Sequence, residues 1–236
     1  MSTSRNAEWK EIWEAKGRRL SGELHAIDGY DLLSAGEWEA MIGALMAPVP
    51  LRAGMAVVEL GCGAGAFLAA LLQLEPGLRV TGLDYATSLV GIARTRVPGS
   101  FGVGDIRSCP AIGTATADLV CSFGVLMYLD SEADVSRAMG EIDRVAKPGG
   151  RIYVGEVSDL AKRDAALEMR KTTHAGQNHV SAKQVEHLYL PKELFAAEAR
   201  RLGWQNFRIC DHAAIPALAT NPLAGYRYSI YAEKSR

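Results

Sequence analysis

Val57-Val58-Glu59-Leu60-Gly61-Cys62-Gly63-Ala64-Gly65 is an apolar strand that runs directly into three glycines, and Phe67 to Leu74 then continues as a helix. Glycine lets a backbone turn tightly and approach a ligand closely. The helix that follows presents free N–H groups and the positive end of its dipole, so a ligand carboxylate or phosphate suits this position. A dinucleotide fingerprint is spaced Gly-x-Gly-x-x-Gly, with Ala also allowed last. Here the spacing is Gly-x-Gly-x-Gly with Ala66 at the last fingerprint position, so the loop alone leaves two ligand classes open.

Downstream of the loop the chain alternates. A helix over Phe67 to Leu74 precedes a strand over Leu78 to Asp84, and a helix over Ser88 to Arg96 follows. Further strands are expected at Ser100 to Val103, Asp118 to Ser122 and Arg151 to Glu156. The last follows a helix from Ser131 to Ala146 and the turn Lys147-Pro148-Gly149-Gly150. Short apolar strands separated by helices imply a mostly parallel sheet covered on both faces. Beyond it, a helix near Leu160 to Lys171 is expected, and Pro191 suits the first turn of a helix that Gly203 caps after Leu202. Trp204 to Cys210 and Tyr226 to Glu233 read as strands with no helix between them, hence as antiparallel neighbours.

Upstream, Trp9, Ile12 and Trp13 recur at helical spacing from Ala7 to Lys16, and Gly17 offers a stop. Ser34-Ala35-Gly36-Glu37 has the form of a capping box opening a second helix through Trp38, Met41, Ile42 and Leu45, which Pro48 and Pro50 end.

The 236 residues are enough to bury a core without disulfides, and 48% hydrophobic with 22% charged residues is ordinary globular usage. A formal net charge of -1 provides no broad positive field for a phosphate backbone, which disfavours nucleic acid as a partner. Cys62, Cys109, Cys121 and Cys210 are scattered without metal-ligand spacing, so no metal site is expected and the thiols read as reduced packing residues. The charged N-terminus lacks a signal-peptide core and no run has membrane-spanning length; no membrane association and a cytoplasmic location are the expectations. Oligomeric state stays open.

Taken together, the glycine loop, Asp84, the step Gly104-Asp105-Ile106 and the turn Lys147-Pro148-Gly149-Gly150 resemble the class I methyltransferase family, from about Met55 to Glu156. The resemblance implies an α/β, Rossmann-like, mostly parallel seven-stranded sheet with helices on both faces, an antiparallel C-terminal strand and an N-terminal helical cap. It implies one methyltransferase domain over residues 1–236: cap 1–50, donor-binding core 51–156, lid 157–190, and C-terminal helix and hairpin 191–236. The implied methyl donor is S-adenosyl-L-methionine. Asp84 would take the ribose hydroxyls, a role an NAD enzyme would also give it, while Asp105 would take the adenine amino group and Ile106 the face of the ring. The remaining donor contacts are expected from Glu59, Gly61, Cys62, Gly63, Gly65, Tyr85, Ser122, Trp13 and Tyr30, with the loop cradling the carboxylate end of the methionine moiety.

Ser122-Phe123-Gly124-Val125 lacks the prolines of the DNA amino-methyltransferase tetrapeptide, and Cys109-Pro110 reverses the Pro-Cys of cytosine-C5 enzymes. A small-molecule acceptor, methylated on oxygen or nitrogen, is therefore expected. Trp9-x-x-x-Trp13 is similar to a tryptophan pair of thiol and thiopurine methyltransferases, which makes a thiol acceptor the alternative; plain packing explains the same spacing. An NAD-linked oxidoreductase and a non-catalytic donor-binding domain are more remote alternatives. An alcohol acceptor needs a general base. The candidates are His187, favoured for its apolar neighbours, with Glu156 and Tyr128 at strand ends and His174 and His179 in the lid.

Overall fold

The computed structural model describes residues 4–19, 21–173, 185–219 and 221–236. The first helix, α1 (Arg5–Arg19), is followed by α2 (Leu24–Ile27) and α3 (Ala35–Met46). The core then alternates β1 (Ala56–Leu60), α4 (Ala66–Leu74), β2 (Arg79–Asp84), α5 (Thr87–Arg96), β3 (Ser100–Val103), β4 (Ala117–Phe123), α6 (Glu132–Val145) and β5 (Ala146–Ser158). It closes with α7 (Arg163–Thr173), α8 (Lys192–Leu202), β6 (Gln205–Asp211) and β7 (Arg227–Glu233). The strands form one sheet in the order β3-β2-β1-β4-β5-β7-β6. β1 to β5 pair in parallel, and β7 runs antiparallel to both β5 and β6.

Successive strand residues point to opposite faces, so the sheet divides its core in two. Val57, Leu119, Cys121 and Tyr153 pack with Ile42 and Leu45 of α3 and with Leu68 and Leu71 of α4. Val58, Leu60, Val120, Ile152 and Val154 pack with Val135, Met139 and Ile142 of α6 and Phe195 of α8. Burying each such side chain stabilises the fold by about 1.5–3 kcal/mol before chain entropy is counted. A third, smaller cluster joins Trp9, Ile12 and Trp13 of α1 to Ile27, Ala64, Ala86 and Leu89, and so seats the N-terminal helices on the glycine loop.

Several sequence expectations shift for identifiable reasons. α1 runs through Gly17 to Arg19; the glycine is a close approach, since a Cβ there would stand 2.4 Å from Ser88 Oγ. The Glu14 carboxylate accepts the Thr87 and Ser88 amides at 2.6 and 3.1 Å, capping α5 from α1. The turn expected at Lys147 to Gly150 is absorbed into β5, because the Gly149 amide donates to the Lys234 carbonyl and the Lys234 amide to the Gly150 carbonyl. β5 also continues past Glu156 to Ser158. Pro191 is the N-cap rather than the first helical residue, with ψ of 145°, and α7 begins only at Arg163 after a 3-10 turn. The Ser34 capping box and the left-handed Gly203 cap, φ 71°, form as the sequence indicates. Among the described residues no helix is long and apolar enough to cross a membrane.

Candidate functional site

The parallel strands end together at one edge, where ligands of open α/β sheets bind. At the end of β1 the chain turns through Gly61, Gly63 and Gly65 with φ of 87°, 53° and 90°, values that only glycine adopts without strain. Space demands glycine as well: a Cβ on Gly61 would stand 2.3 Å from Val125 Cγ2, and one on Gly63 would stand 2.4 Å from Asp28 Oδ1. The loop therefore lies close under the segment after β4 on one side and under the N-terminal cap on the other.

Every amide from residue 61 to 66 is committed within the chain. Gly61 and Cys62 donate to the Leu83 carbonyl at 2.6 and 3.0 Å, and Gly65 donates to the Cys62 carbonyl at 2.8 Å. Gly63 donates to Asp84 Oδ2 at 2.9 Å, Ala64 to Asp28 Oδ1 at 2.7 Å and Ala66 to Asp28 Oδ2 at 3.0 Å. A ligand carboxylate held on this loop, the arrangement expected from sequence, finds its N–H groups occupied by two carboxylates of the protein itself. Asp28, immediately after α2, was not singled out in the sequence; its only signal there is an Asp-Gly pair between two helices.

Three acids thus meet at the strand ends. Glu59 is 1% exposed and its Oε2 has no hydrogen-bond partner; burial and the charges of Asp28 and Asp84 push its carboxyl well above the ordinary range. Burial lifts Asp84 to about 6 against the opposing hydrogen bonds from Ala86 and Gly63, and lifts Asp28 to about 7 against those from Ala64 and Ala66. Asp84 also accepts the Ala86 amide at 2.8 Å, which anchors it at the mouth of α5. Cys62 is buried, with Sγ directed at Gly82, where a Cβ would come within 2.6 Å. Ser122 Oγ, near the end of β4, and the Tyr85 hydroxyl, just past β2, are buried polar atoms without hydrogen-bond partners. Such atoms cost free energy unless something pairs with them.

Asp105 and Ile106 follow β3. Arg107 grips the Asp105 carboxylate at 2.5 to 3.1 Å, which outweighs burial and holds Asp105 below its ordinary value; the same guanidinium also lies 3.6 Å from Asp134. Ile106 is buried against Leu83 and Cys109 in the sheet core. Beside them is an aromatic wall. The Tyr128 ring lies 4.7 Å from Trp9, 5.4 Å from Trp13 and 5.3 Å from His187, and His187 lies 5.1 Å from Trp9. The structure thus brings Tyr128, His187 and Trp13 together, as three separate segments of the sequence could not show. His174 and His179 lie outside the described residues.

Glu156 departs from the expectation of a strand-end base. It interrupts the β5–β7 register with φ 58°, a left-handed backbone on a non-glycine residue. Its carboxylate is turned inward, with His212 Nδ1 3.0 Å from Oε1 though not aligned as a hydrogen bond, and Arg227 Nε 3.5 Å from Oε2. Burial would raise its pKa, yet His212 and Arg227 together keep it below the ordinary value. An anion held this way is a weak proton acceptor. His212 continues to Ser229 Oγ at 2.7 Å, which lies 3.2 Å from the Tyr153 hydroxyl. Tyr30 bridges the regions: its ring stacks 5.6 Å from Phe123, and its hydroxyl overlies Gly124, where a Cβ would stand 2.7 Å away.

Residues 58–154 match the family model described as a methyltransferase domain. The chain is 31% identical over 116 residues to malonyl-[acyl-carrier protein] O-methyltransferase of Pectobacterium atrosepticum, covering 49% of this chain and 44% of that protein. It is 30% identical over 151 residues to trans-aconitate 2-methyltransferase of Rhizobium leguminosarum bv. trifolii, covering 62% and 56%. The chain thus spans about half the length of these relatives. Its whole length superposes on half of Haemonchus contortus phosphoethanolamine N-methyltransferase 1, solved with phosphoethanolamine and S-adenosylhomocysteine, at TM-score 0.69 and 16% identity, a likeness of fold. Sheet order, glycine loop and domain match agree: residues 58–154 match a methyltransferase domain, on a fold shared with S-adenosylmethionine-dependent methyltransferases.

Proposed function

We propose that this chain transfers the methyl group of S-adenosylmethionine to an oxygen or nitrogen of a small-molecule acceptor. The observation that carries the reading is the commitment of all six loop amides, from residue 61 to 66, to groups of the chain. A strand-end loop that presents carboxylates and, from residue 61 to 66, no free N–H groups suits a cationic nucleoside; pyrophosphate would be repelled there. The residues fit such a donor. Gly61 and Gly63 let Val125 and Asp28 pack directly onto the loop, and Glu59 and Ser122 offer unpartnered buried oxygens. Asp84 would hold the ribose hydroxyls with the lone pairs its two amide contacts leave free, and Tyr85 and Ile106 would flank the nucleoside. Asp105 would share its carboxylate between the adenine amino group and Arg107.

When bound, the donor supplies an electrophilic methyl group on a sulfonium. The protein has to align the acceptor and exclude water, which can take several kcal/mol off the barrier. Tyr128, Trp9 and Trp13 form the apolar wall for this, and an aromatic face also attracts a cation. His187, buried against that wall, is the proton acceptor; Glu156 serves as an internal anchor for β5 and β7. The relatives' names include an O-methyltransferase and an N-methyltransferase, which supports acceptors of both kinds.

The test is transfer of labelled methyl from S-adenosylmethionine across carboxylate, hydroxyl, amine and thiol acceptors. Oxygen or nitrogen products are expected; thiol products alone, or none, would overturn the reading. His187→Ala should lower turnover and leave S-adenosylhomocysteine affinity intact, and normal turnover would place the base elsewhere.

A further inference from the structure

Asp28 lies outside the matched domain, in the N-terminal cap, and yet its carboxylate sits at the mouth of the glycine loop. It bridges the Ala64 and Ala66 amides at the start of α4, and the missing Cβ of Gly63 makes room for its Oδ1. The anion at this helix terminus is therefore supplied by the protein. Beneath the same loop, Glu59 is buried with Oε2 unpartnered, and the charges of Asp28 and Asp84 both act on it. Lys16 is the cation that acts on Asp28, and it is shared with Asp31 and with the Trp13 ring, 4.4 Å from its Nζ. Among the described residues these acids are not arranged to hold a metal ion. Half-buried Asp28 and orphaned Glu59 together call for an organic cation with more than one N–H to give.

We infer that Asp28 is a donor-binding residue whose carboxylate, fixed on the Ala64 and Ala66 amides, receives the α-ammonium group of S-adenosylmethionine beside Glu59. The inference rests on the donor reading above and reverses one expectation of it: the loop meets the ammonium of the methionine moiety, and the carboxylate points away. It also adds a charged group, at the end of α2, to the part the cap takes in the donor site.

The test compares two nucleosides by calorimetry: S-adenosylhomocysteine, and 5′-(3-carboxypropyl)thioadenosine, which differs by lacking the α-amine. Wild type should prefer the first by about tenfold or more, as befits one charge-assisted hydrogen-bonded pair. In Asp28→Asn and Asp28→Ser, which keep an oxygen for the loop amides but remove the charge, the preference should shrink to within about threefold, with the amine-free nucleoside bound as in wild type. Equal loss for both nucleosides would make Asp28 only a loop cap. Tighter S-adenosylhomocysteine binding would make it a competitor of the donor. Either result overturns the inference, and equal wild-type affinities overturn it without any variant. Failure of wild type to bind either nucleoside would instead remove the donor reading on which it rests.

Discussion

Replacing Arg227 by Met isolates the worth of the buried ion cluster under β5 and β7. Arg227 is 7% exposed, Glu156 2% and His212 0%, so water cannot substitute for the lost guanidinium. Breaking a buried pair by removing one partner costs about 3–5 kcal/mol, because the other charge is left uncompensated. Ser158, whose hydroxyl also accepts from Arg227, loses a partner as well. For a chain of this size each kcal/mol moves the melting midpoint by about 2–4 °C, so Arg227→Met should melt on the order of 10 °C below wild type. The uncharged Glu156→Gln/Arg227→Met pair should recover at least about half of the loss, since no unpaired anion remains. The linkage has a definite sign. Glu156 titrates below its ordinary 4.5 in the fold, so its stabilisation is complete above that value and is lost as pH falls through the folded pKa. Glu156→Gln should flatten that acid limb. Urea unfolding followed by circular dichroism measures all of these. An Arg227→Met cost below about 1 kcal/mol, or purely additive losses in the double variant, would refute the claim that the cluster is a coupled buried anchor.

Gly61→Ala places a Cβ 2.3 Å from Val125 Cγ2 at φ 87°, so S-adenosylhomocysteine affinity should fall more than about tenfold, with partial return in Gly61→Ala/Val125→Ala; an unchanged Kd would show that the cradle tolerates a side chain. Asp84→Ala removes the anion that aligns Gly63 and Ala86 and should weaken donor binding by about 1.5–3 kcal/mol per charge-assisted bond, read by calorimetry; unchanged affinity would remove Asp84 from the site. Burial lifts Asp28 to about 7 and Asp84 to about 6, with Glu59 and Lys16 beside them, and a bound cation favours their ionised forms. S-adenosylhomocysteine binding should therefore tighten as pH rises through 7 and level off above it, while in Asp28→Asn the rise should end about one unit lower, near the Asp84 value. A pH-independent Kd would contradict this.

Local patterns determined much of this protein. The alternation of apolar strands and helices, the Gly-x-Gly-x-Gly loop, the Ser34 capping box and the Gly203 stop are all short-range, because backbone conformation, capping and burial period are set by residues a few positions apart. They were legible, and they led to the sheet and its glycine edge. What only the tertiary structure decided is where side chains far apart in sequence meet. Asp28 reaches Ala64 and Ala66 across 36 and 38 positions, and Arg227 and His212 come back from the last strands to a Glu156 turned inward by its left-handed backbone. Charge does not show in sequence whether it will be paired or desolvated. A strand-end glutamate expected as a base is turned inward toward His212 and Arg227, and a loop that looked ready for an anion holds carboxylates of its own chain, because burial and partners arrive only when the sheet brings its edge together.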